Sequence, residues 1–191
     1  MINFDLMTEK IIDESRFSGK IAVVLGSGLG KITSQLKHSI SIPYLSIPHY
    51  PQTTVKGHPG ELVIGSIDNC SVLIAKGRFH YYEGYSFEEI TIPIHLFSRL
   101  GIKYLVITNS AGSMNMDLPP GNFMIADSHM DCTYRNDSND PKIYSQTNFH
   151  DQELIKIAQL SSQKLELKMN TGTYCWTLGP SYETPAEIKN M

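Results

Sequence analysis

Nine consecutive residues, Gly77-Arg78-Phe79-His80-Tyr81-Tyr82-Glu83-Gly84-Tyr85, gather an arginine, a histidine, a glutamate and three tyrosines. A guanidinium presents a planar fork of donors that matches the oxygens of phosphate or a similar oxyanion. His80, two positions on, can donate a second hydrogen bond to the same anion, and Glu83 can orient that imidazole. Tyr81, Tyr82 and Tyr85 add flat faces and hydroxyls that suit a sugar. Gly77 and Gly84 bracket the stretch and let the backbone turn sharply. An ordinary loop with a surface arginine and packed tyrosines has the same composition, so these residues alone leave both readings open.

Other loops offer related chemistry. Gly26-Ser27-Gly28-Leu29-Gly30 holds a serine in a glycine turn between an apolar run and a short helical pattern. Backbone N–H groups in such a turn can approach an anion, and a helix N-terminus favours negative charge. The spacing is not that of a dinucleotide fingerprint, GxGxxG. It is not a P-loop either, because Ile32 follows Gly30-Lys31. Asn109-Ser110-Ala111-Gly112-Ser113 is a second run of small residues, with room for a ligand, although a turn that is merely tight reads the same way. Gly57-His58-Pro59-Gly60 places a histidine in a Pro/Gly-rich stretch, and Tyr182-Glu183 sits in Gly179–Thr184. Seven histidines raise the question of a metal, but they include no HxxxH-type ligand pair, so no metal is expected.

The elements that must position these loops alternate. Phe4, Met7, Ile11 and Ile12 recur at helical spacing and predict a helix over residues 3–15, broken by Ser18-Gly19. Ile21–Leu25 is a short apolar, β-branched run, the pattern of a buried strand. Residues 43–60 read as a long loop carrying His49 and His58. Glu61–Ile67 and Ser71–Ala75 read as a hairpin across Asp68-Asn69. Ser86 with Glu89 three residues on is a capping box, opening a helix that ends at Gly101. Tyr104–Thr108 and Phe123–Asp127 read as strands, and residues 131–150, polar and aperiodic, as a mobile loop or flap. A helix near 151–167, a strand over Thr171–Leu178 and a helix capped by Thr184 with Pro185 at N1 complete the order. This alternation predicts an α/β fold with a mixed, mostly parallel central sheet flanked by helices. The strand-end loops then gather along one edge of that sheet. The expected organisation is a single domain over residues 1–191.

Composition narrows the function classes. Of 191 residues 41% are hydrophobic, as in a globular domain. Lys plus Arg is 16 and Asp plus Glu is 19, a net charge of −3, so no basic field draws nucleic acid. Cys70, Cys132 and Cys175 are scattered without a CxxC, which suits a reducing compartment better than a disulfide framework. Met1-Ile2-Asn3-Phe4-Asp5 lacks a basic segment followed by an apolar run, and no apolar run approaches the ~18 residues of a membrane span. The expectation is a soluble cytoplasmic protein.

Taken together, Val24–Gly30, Gly57–Gly60, Gly77–Tyr85, Thr108–Gly112 and Gly179–Thr184 resemble, in order, the trimeric, low-molecular-mass class of purine nucleoside phosphorylases. The Gly-Arg-Phe-His-x-Tyr-Glu-Gly-Tyr stretch is the most specific part. The resemblance implies cleavage of the N-glycosidic bond of purine (deoxy)nucleosides by phosphate, with no cofactor beyond that co-substrate and no metal. It implies phosphate binding by Ser27, His58, Arg78, His80 and the backbone at Ser110. It implies nucleoside contacts from Tyr82, Ala111, Gly112, Tyr182 and Glu183, with His80, Glu183 and Arg78 closest to the chemistry. A carboxylate at Glu183 accepts from purine N1–H and so selects 6-oxopurines. The related methylthioadenosine phosphorylases carry a different residue there. In the implied homotrimer an aromatic caps the neighbour's site, and Tyr144, then Phe149, are the candidates.

The sequence also departs from the family pattern. The small-residue loop reads Asn-Ser-Ala-Gly-Ser where relatives have Asn-Ala-Ala-Gly-Gly. Residues 131–150 lack the family's Asn-Pro-Leu and Gly-Pro-Asn stretch. The C-terminal third that relatives possess, with a Met-Ser pair at ribose and phosphate and an asparagine at purine N7, has no counterpart in the 191 residues. The fold is therefore expected to be incomplete at its C-terminus, with little or no phosphorolytic activity and reduced stability for this polypeptide alone. The alternative reading is a non-catalytic remnant that binds phosphate or nucleoside, or associates with an intact subunit.

Overall fold

The computed structural model describes residues 2–52, 60–134, 142–145 and 150–191. The chain divides into two compact units, Met1–Ala111 and Gly112–Met191.

The first unit opens with helix α1, Phe4–Ser15. Asn3 caps it by accepting from the Asp5 and Leu6 N–H groups, and Arg16 ends it in the left-handed region at φ 53°. Strand β1, Ile21–Leu25, follows. Strands β2 (Lys37–Pro43), β3 (Glu61–Ile67), β4 (Cys70–Lys76) and β5 (Tyr104–Ile107) complete a five-stranded sheet in the order β2-β3-β4-β1-β5. β1 runs parallel to both β4 and β5, while β2, β3 and β4 are joined antiparallel. The β3–β4 hairpin turns on Asp68 and Asn69 at φ 47° and 65°. Positive φ at both central residues is the type I′ geometry whose twist matches that of paired strands.

Alternation along the strands makes two faces. Ala22 and Val24 of β1, Ile42 of β2, Leu62 and Ile64 of β3, and Leu73 and Ala75 of β4 form one buried layer. Met7 and Ile11 of α1 pack on that layer, together with Ile92, Leu96 and Phe97 of α3 (Ile92–Arg99). Burying a side chain of this size stabilises by roughly 1.5–3 kcal/mol, so this layer fixes the strands that carry the loops. Leu25, Val63, Val72 and Ile74 face the other way, with Leu36 against them.

The predicted helix after Ser86 is broken in two. Phe87–Ile90 forms α2 beneath the Ser86–Glu89 capping box, and α3 restarts at Ile92 with Pro93 in its first turn. Proline has no N–H for a continuing helix, which explains the break. The glycine turn after β1 is followed by a 3-10 turn at Gly30–Gln35. β2 is a strand that the sequence pattern did not announce.

The second unit holds a three-stranded sheet in the order β7-β6-β8. β6 is Phe123–Asp131, β7 is Lys142–Ser145 and β8 is Met169–Trp176. β6 is parallel to β8 and antiparallel to β7. The expected flap over 131–150 is corrected at its described residues: Asp131 closes β6, Cys132 and Thr133 are buried, and Lys142–Ser145 is a strand. Ladder hydrogen bonds to β6 satisfy that polar segment without hydrophobic periodicity. Helix α4 is Gln152–Lys164, capped by Asp151, and α5 is Pro185–Asn190 with the expected Thr184 cap. Among the described residues no helix is long and apolar enough to cross a membrane.

Candidate active site

Three parallel strands deliver three loops to one edge of the first sheet. Leu25 pairs with Lys76 and Val24 with Ile107, so the chain leaves β1, β4 and β5 at nearly one level. Loops at the carboxyl ends of adjacent parallel strands are where α/β sheets place ligands. Here they are Gly26-Ser27-Gly28, Gly77–Tyr85 and Thr108–Ala111.

The first and third loops are pressed together. A Cβ on Gly26 would lie 2.6 Å from Asn109 Cα and 2.7 Å from the Thr108 carbonyl oxygen, so only glycine fits. The Gly26 N–H donates to Thr108 Oγ1 at 2.9 Å, and that hydroxyl donates to the Val24 carbonyl at 3.1 Å. Ser110 Oγ donates to the Ser27 carbonyl at 3.2 Å.

The middle loop is anchored below and chemical above. Phe79, 6% exposed, packs among the rings of Tyr44, Tyr50 and Tyr85. The Tyr44 hydroxyl donates to the Gly77 carbonyl at 2.7 Å. Burial, and after it the charge of Glu61, keeps the Tyr44 phenol far above the ordinary tyrosine range. It is therefore a permanent donor.

On either side of Phe79, Arg78 and His80 meet. Arg78 Nη1 donates to the Thr108 carbonyl at 3.1 Å, and Nε donates to His80 Nε2 at 3.1 Å. Glu83 Oε1 lies 2.8 Å from His80 Nδ1 and accepts the His80 backbone N–H at 2.8 Å. Arginine is always a donor, so Nε2 must accept and the imidazole proton sits on Nδ1. The Glu83 side chain is only 2% exposed. Tyr82 stacks on His80, with ring centroids 4.7 Å apart and planes at 12°. Partial burial, then the Glu83 charge, raises the Tyr82 phenol, against a lowering by Arg78. The result is a cation, a carboxylate-oriented imidazole and a neutral phenol at one sheet edge, beside Ser27 and Ser110. That set suits an anion with a polyol next to it.

The structure therefore brings Ser27, Arg78, His80, Tyr82 and Ser110 together in the first unit. Ala111 and Gly112 are exposed on either side of the division between units. In the second unit Tyr182 is 97% exposed and Glu183 half-buried, between β8 and α5. His58 and Phe149 lie outside the described residues, and Tyr144 has a register position in β7, opposite His129. Sequence reasoning missed Thr108, which reads as the last residue of a strand; its signal is a hydroxyl where an apolar run meets a small-residue loop. It also missed a histidine pair in the second unit. His150 Nε2 lies 3.1 Å from His129 Nδ1, and burial, then His150, lowers the His129 pKa. Cys175 and Cys132 touch there too, sulfur to sulfur at 2.8 Å.

Comparison with known proteins gives a consistent set of relatives. The phosphorylase superfamily matches residues 20–191. Purine nucleoside phosphorylase 1 of Geobacillus stearothermophilus is 37% identical over 179 residues, spanning 90% of this chain and 65% of the relative. That of Bacillus subtilis is 36% identical, spanning 90% and 66%. The purine nucleoside phosphorylase of Mus musculus is 31% identical over 199 residues, spanning 98% and 69%. The crystal structure of isoform 2 of the Schistosoma mansoni enzyme, in complex with cytosine and ribose-1-phosphate, superposes with a TM-score of 0.85 at 33% identity, covering 98% of this chain and 70% of that one. The Schistosoma mansoni enzyme in complex with inosine gives 0.84 at 32%, covering 97% and 69%. The chain thus spans slightly less than two thirds of the two bacterial relatives, 65% and 66% of their lengths.

Proposed function

Since the chain belongs to the purine nucleoside phosphorylase family within the phosphorylase superfamily, we propose that its protein splits 6-oxopurine (deoxy)nucleosides with phosphate, giving free base and (deoxy)ribose 1-phosphate. It is then a pentosyltransferase of purine salvage. The observation that carries this reading is the Arg78–His80–Glu83 chain at the ends of parallel strands beside Ser27.

Phosphate is held by Ser27, Arg78, His80 and the backbone at Ser110, with His58 as a further donor. In the structure Nε2 of His80 accepts from Arg78. Phosphate is itself an acceptor, so His80 donates to it only with a proton on Nε2. Dihydrogen phosphate supplies that proton: its O–H is transferred to Nε2, leaving the dianion against an imidazolium. Glu83 on Nδ1 stabilises that cation, and Arg78 Nε turns from the ring to the anion. Departure of the base leaves positive charge on the sugar, as in glycoside hydrolysis. A hydrogen phosphate dianion beneath the ring stabilises that charge and is also the nucleophile, forming the C1′–O bond as the C1′–N9 bond breaks; the bonding pair leaves with the purine as an anion, which takes the remaining phosphate proton to become the free base. Tyr82 is assigned to the ribose, and Ala111, Gly112, Tyr182 and Glu183 to the nucleoside. No covalent enzyme intermediate and no cofactor is needed.

Glu183 sets the base preference. Its carboxylate accepts from N1–H of hypoxanthine or guanine, whereas adenine presents a bare N1 acceptor, and an unpaired buried group costs about 1–3 kcal/mol. The same reading takes a homotrimer as the working form, with Tyr144 or else Phe149 capping a neighbour's site. Sedimentation showing three chains per particle supports that assembly.

The test is hypoxanthine release from inosine with and without phosphate, alongside adenosine. The expected result is phosphate-dependent release with ribose 1-phosphate as co-product, and slower cleavage of adenosine. Release without phosphate makes the protein a hydrolase instead. Phosphate binding without release leaves the non-catalytic reading, and equal cleavage of adenosine and inosine removes the role of Glu183.

A further inference from the structure

We propose that Thr108 is a positioning residue for phosphate, fixing the separation between the Ser27 loop and the Arg78 guanidinium. The inference rests on the phosphate site proposed above. It starts from one residue at the end of β5 that bonds to both other loops. Its hydroxyl accepts the Gly26 N–H at 2.9 Å and donates to the Val24 carbonyl at 3.1 Å. Its own N–H donates to the same carbonyl at 2.9 Å. Its carbonyl accepts Arg78 Nη1 at 3.1 Å.

Each bond falls where a ladder stops. Gly26 is the first residue beyond β1, so its N–H takes a side-chain oxygen instead of a strand partner. Threonine suits this place because its β-branch restricts χ1, so the hydroxyl direction is set by the backbone of β5. The Gly26 backbone also has no slack, with the Thr108 carbonyl and Asn109 where its Cβ would be. Ser27 therefore leaves its strand at a distance set by the Thr108 hydroxyl, and Arg78 leans on the carbonyl of the same residue. A shift of the serine and arginine donors relative to one another weakens an anion that must touch both, because such bonds are steep in distance and angle. Thr108 is half-buried and is not assigned to phosphate itself.

The test compares Thr108→Val, which keeps shape and loses the hydroxyl, with Thr108→Ser, which keeps the hydroxyl. Phosphate affinity is read by calorimetry, KM for phosphate and for inosine by rate, and stability by thermal melt; Arg78→Ala is the control. The expected result for Thr108→Val is a loss of phosphate affinity of about 5- to 30-fold, the scale of one unsatisfied buried bond. KM for phosphate rises in parallel, KM for inosine is unchanged, and Thr108→Ser stays within about twofold of the parent. A purely structural role lowers the melt and leaves the phosphate affinity of the folded protein alone, and that outcome overturns the inference. An equal loss for phosphate and inosine overturns it as well. Should Thr108→Val not fold, Thr108→Ala removes the same hydroxyl at a half-buried position and must show the same selective loss. If Arg78→Ala weakens phosphate and Thr108→Val does not, the positioning role falls and the site stands. If neither has an effect, the site itself falls.

Discussion

His80 lies between two groups of opposite charge, with Arg78 Nε at 3.1 Å and Glu83 Oε1 at 2.8 Å. In the proposed phosphate site the ring changes from acceptor to donor at Nε2, and Glu83 is the group assigned to lower the cost of that change. Glu83→Gln keeps an oxygen for the His80 N–H and removes the charge. Phosphate affinity is then expected to fall roughly tenfold, within the ~1.5–3 kcal/mol range for bonds to charged groups. Unchanged affinity by calorimetry contradicts the role. Arg78, His80 and Glu83 were legible in the sequence because all three lie within one loop. Thr108 was not, because its hydroxyl meets residues 82 and 84 positions away, and such separations leave no periodic trace. His58 lies outside the described residues, so its place in the site rests on the sequence.

At the scale of elements, α1, β1, β3, β4 and β5 were readable to within a residue at each end, whereas β6 runs four residues past the expected Asp127, β8 is shifted by two, and the helix after Ser86 is two helices. The Asn3 cap, the Asp68-Asn69 turn and the Ser86–Glu89 and Thr184–Glu187 boxes are local devices that sequence carries directly. β2 was hidden because its outward residues are exposed and its pairing with β3 is irregular between Lys37 and Ile40. β7 was hidden because a polar edge strand has no apolar alternation to show. The packing of loops is testable at Gly26. A Cβ there meets backbone atoms at 2.6 and 2.7 Å, and backbone cannot rotate away as a side chain can. Gly26→Ala is expected to cost about 1–3 kcal/mol as overpacking and to lower the melting temperature; an unchanged melt shows that the two loops separate freely. In the second sheet, burial, the Cys132 thiol and the nearby carboxylates of Glu183 and Asp131 raise the Cys175 pKa. A raised thiol pKa stabilises the fold while the unfolded thiol stays protonated, below about 8.5. That stability is lost as pH rises past this value towards the higher folded pKa. Alkylation at pH 8 is accordingly expected to label exposed Cys70 well before Cys175, read by peptide mass; equal labelling contradicts the shielded thiol pair.

For the whole molecule, alternation of strands and helices was enough to predict an α/β fold, and the superposition on relatives bears that out. The expectation of one domain stands beside a division of the chain within the Asn109–Ser113 loop. Sequence periodicity is silent there, because a division between compact units is a property of long-range packing. The net charge of −3 provides no general attraction for a dianion. Under the proposed function, recognition of phosphate falls to the local placement of Arg78, His80 and Ser27, and this is the central claim. It is tested most directly by calorimetric titration of inorganic phosphate into the protein and into Arg78→Ala. The account predicts saturable binding by the parent and a loss of ~1.5–3 kcal/mol in the variant, about 10- to 150-fold in affinity. Equal affinity in the two proteins, or no binding by the parent, contradicts it.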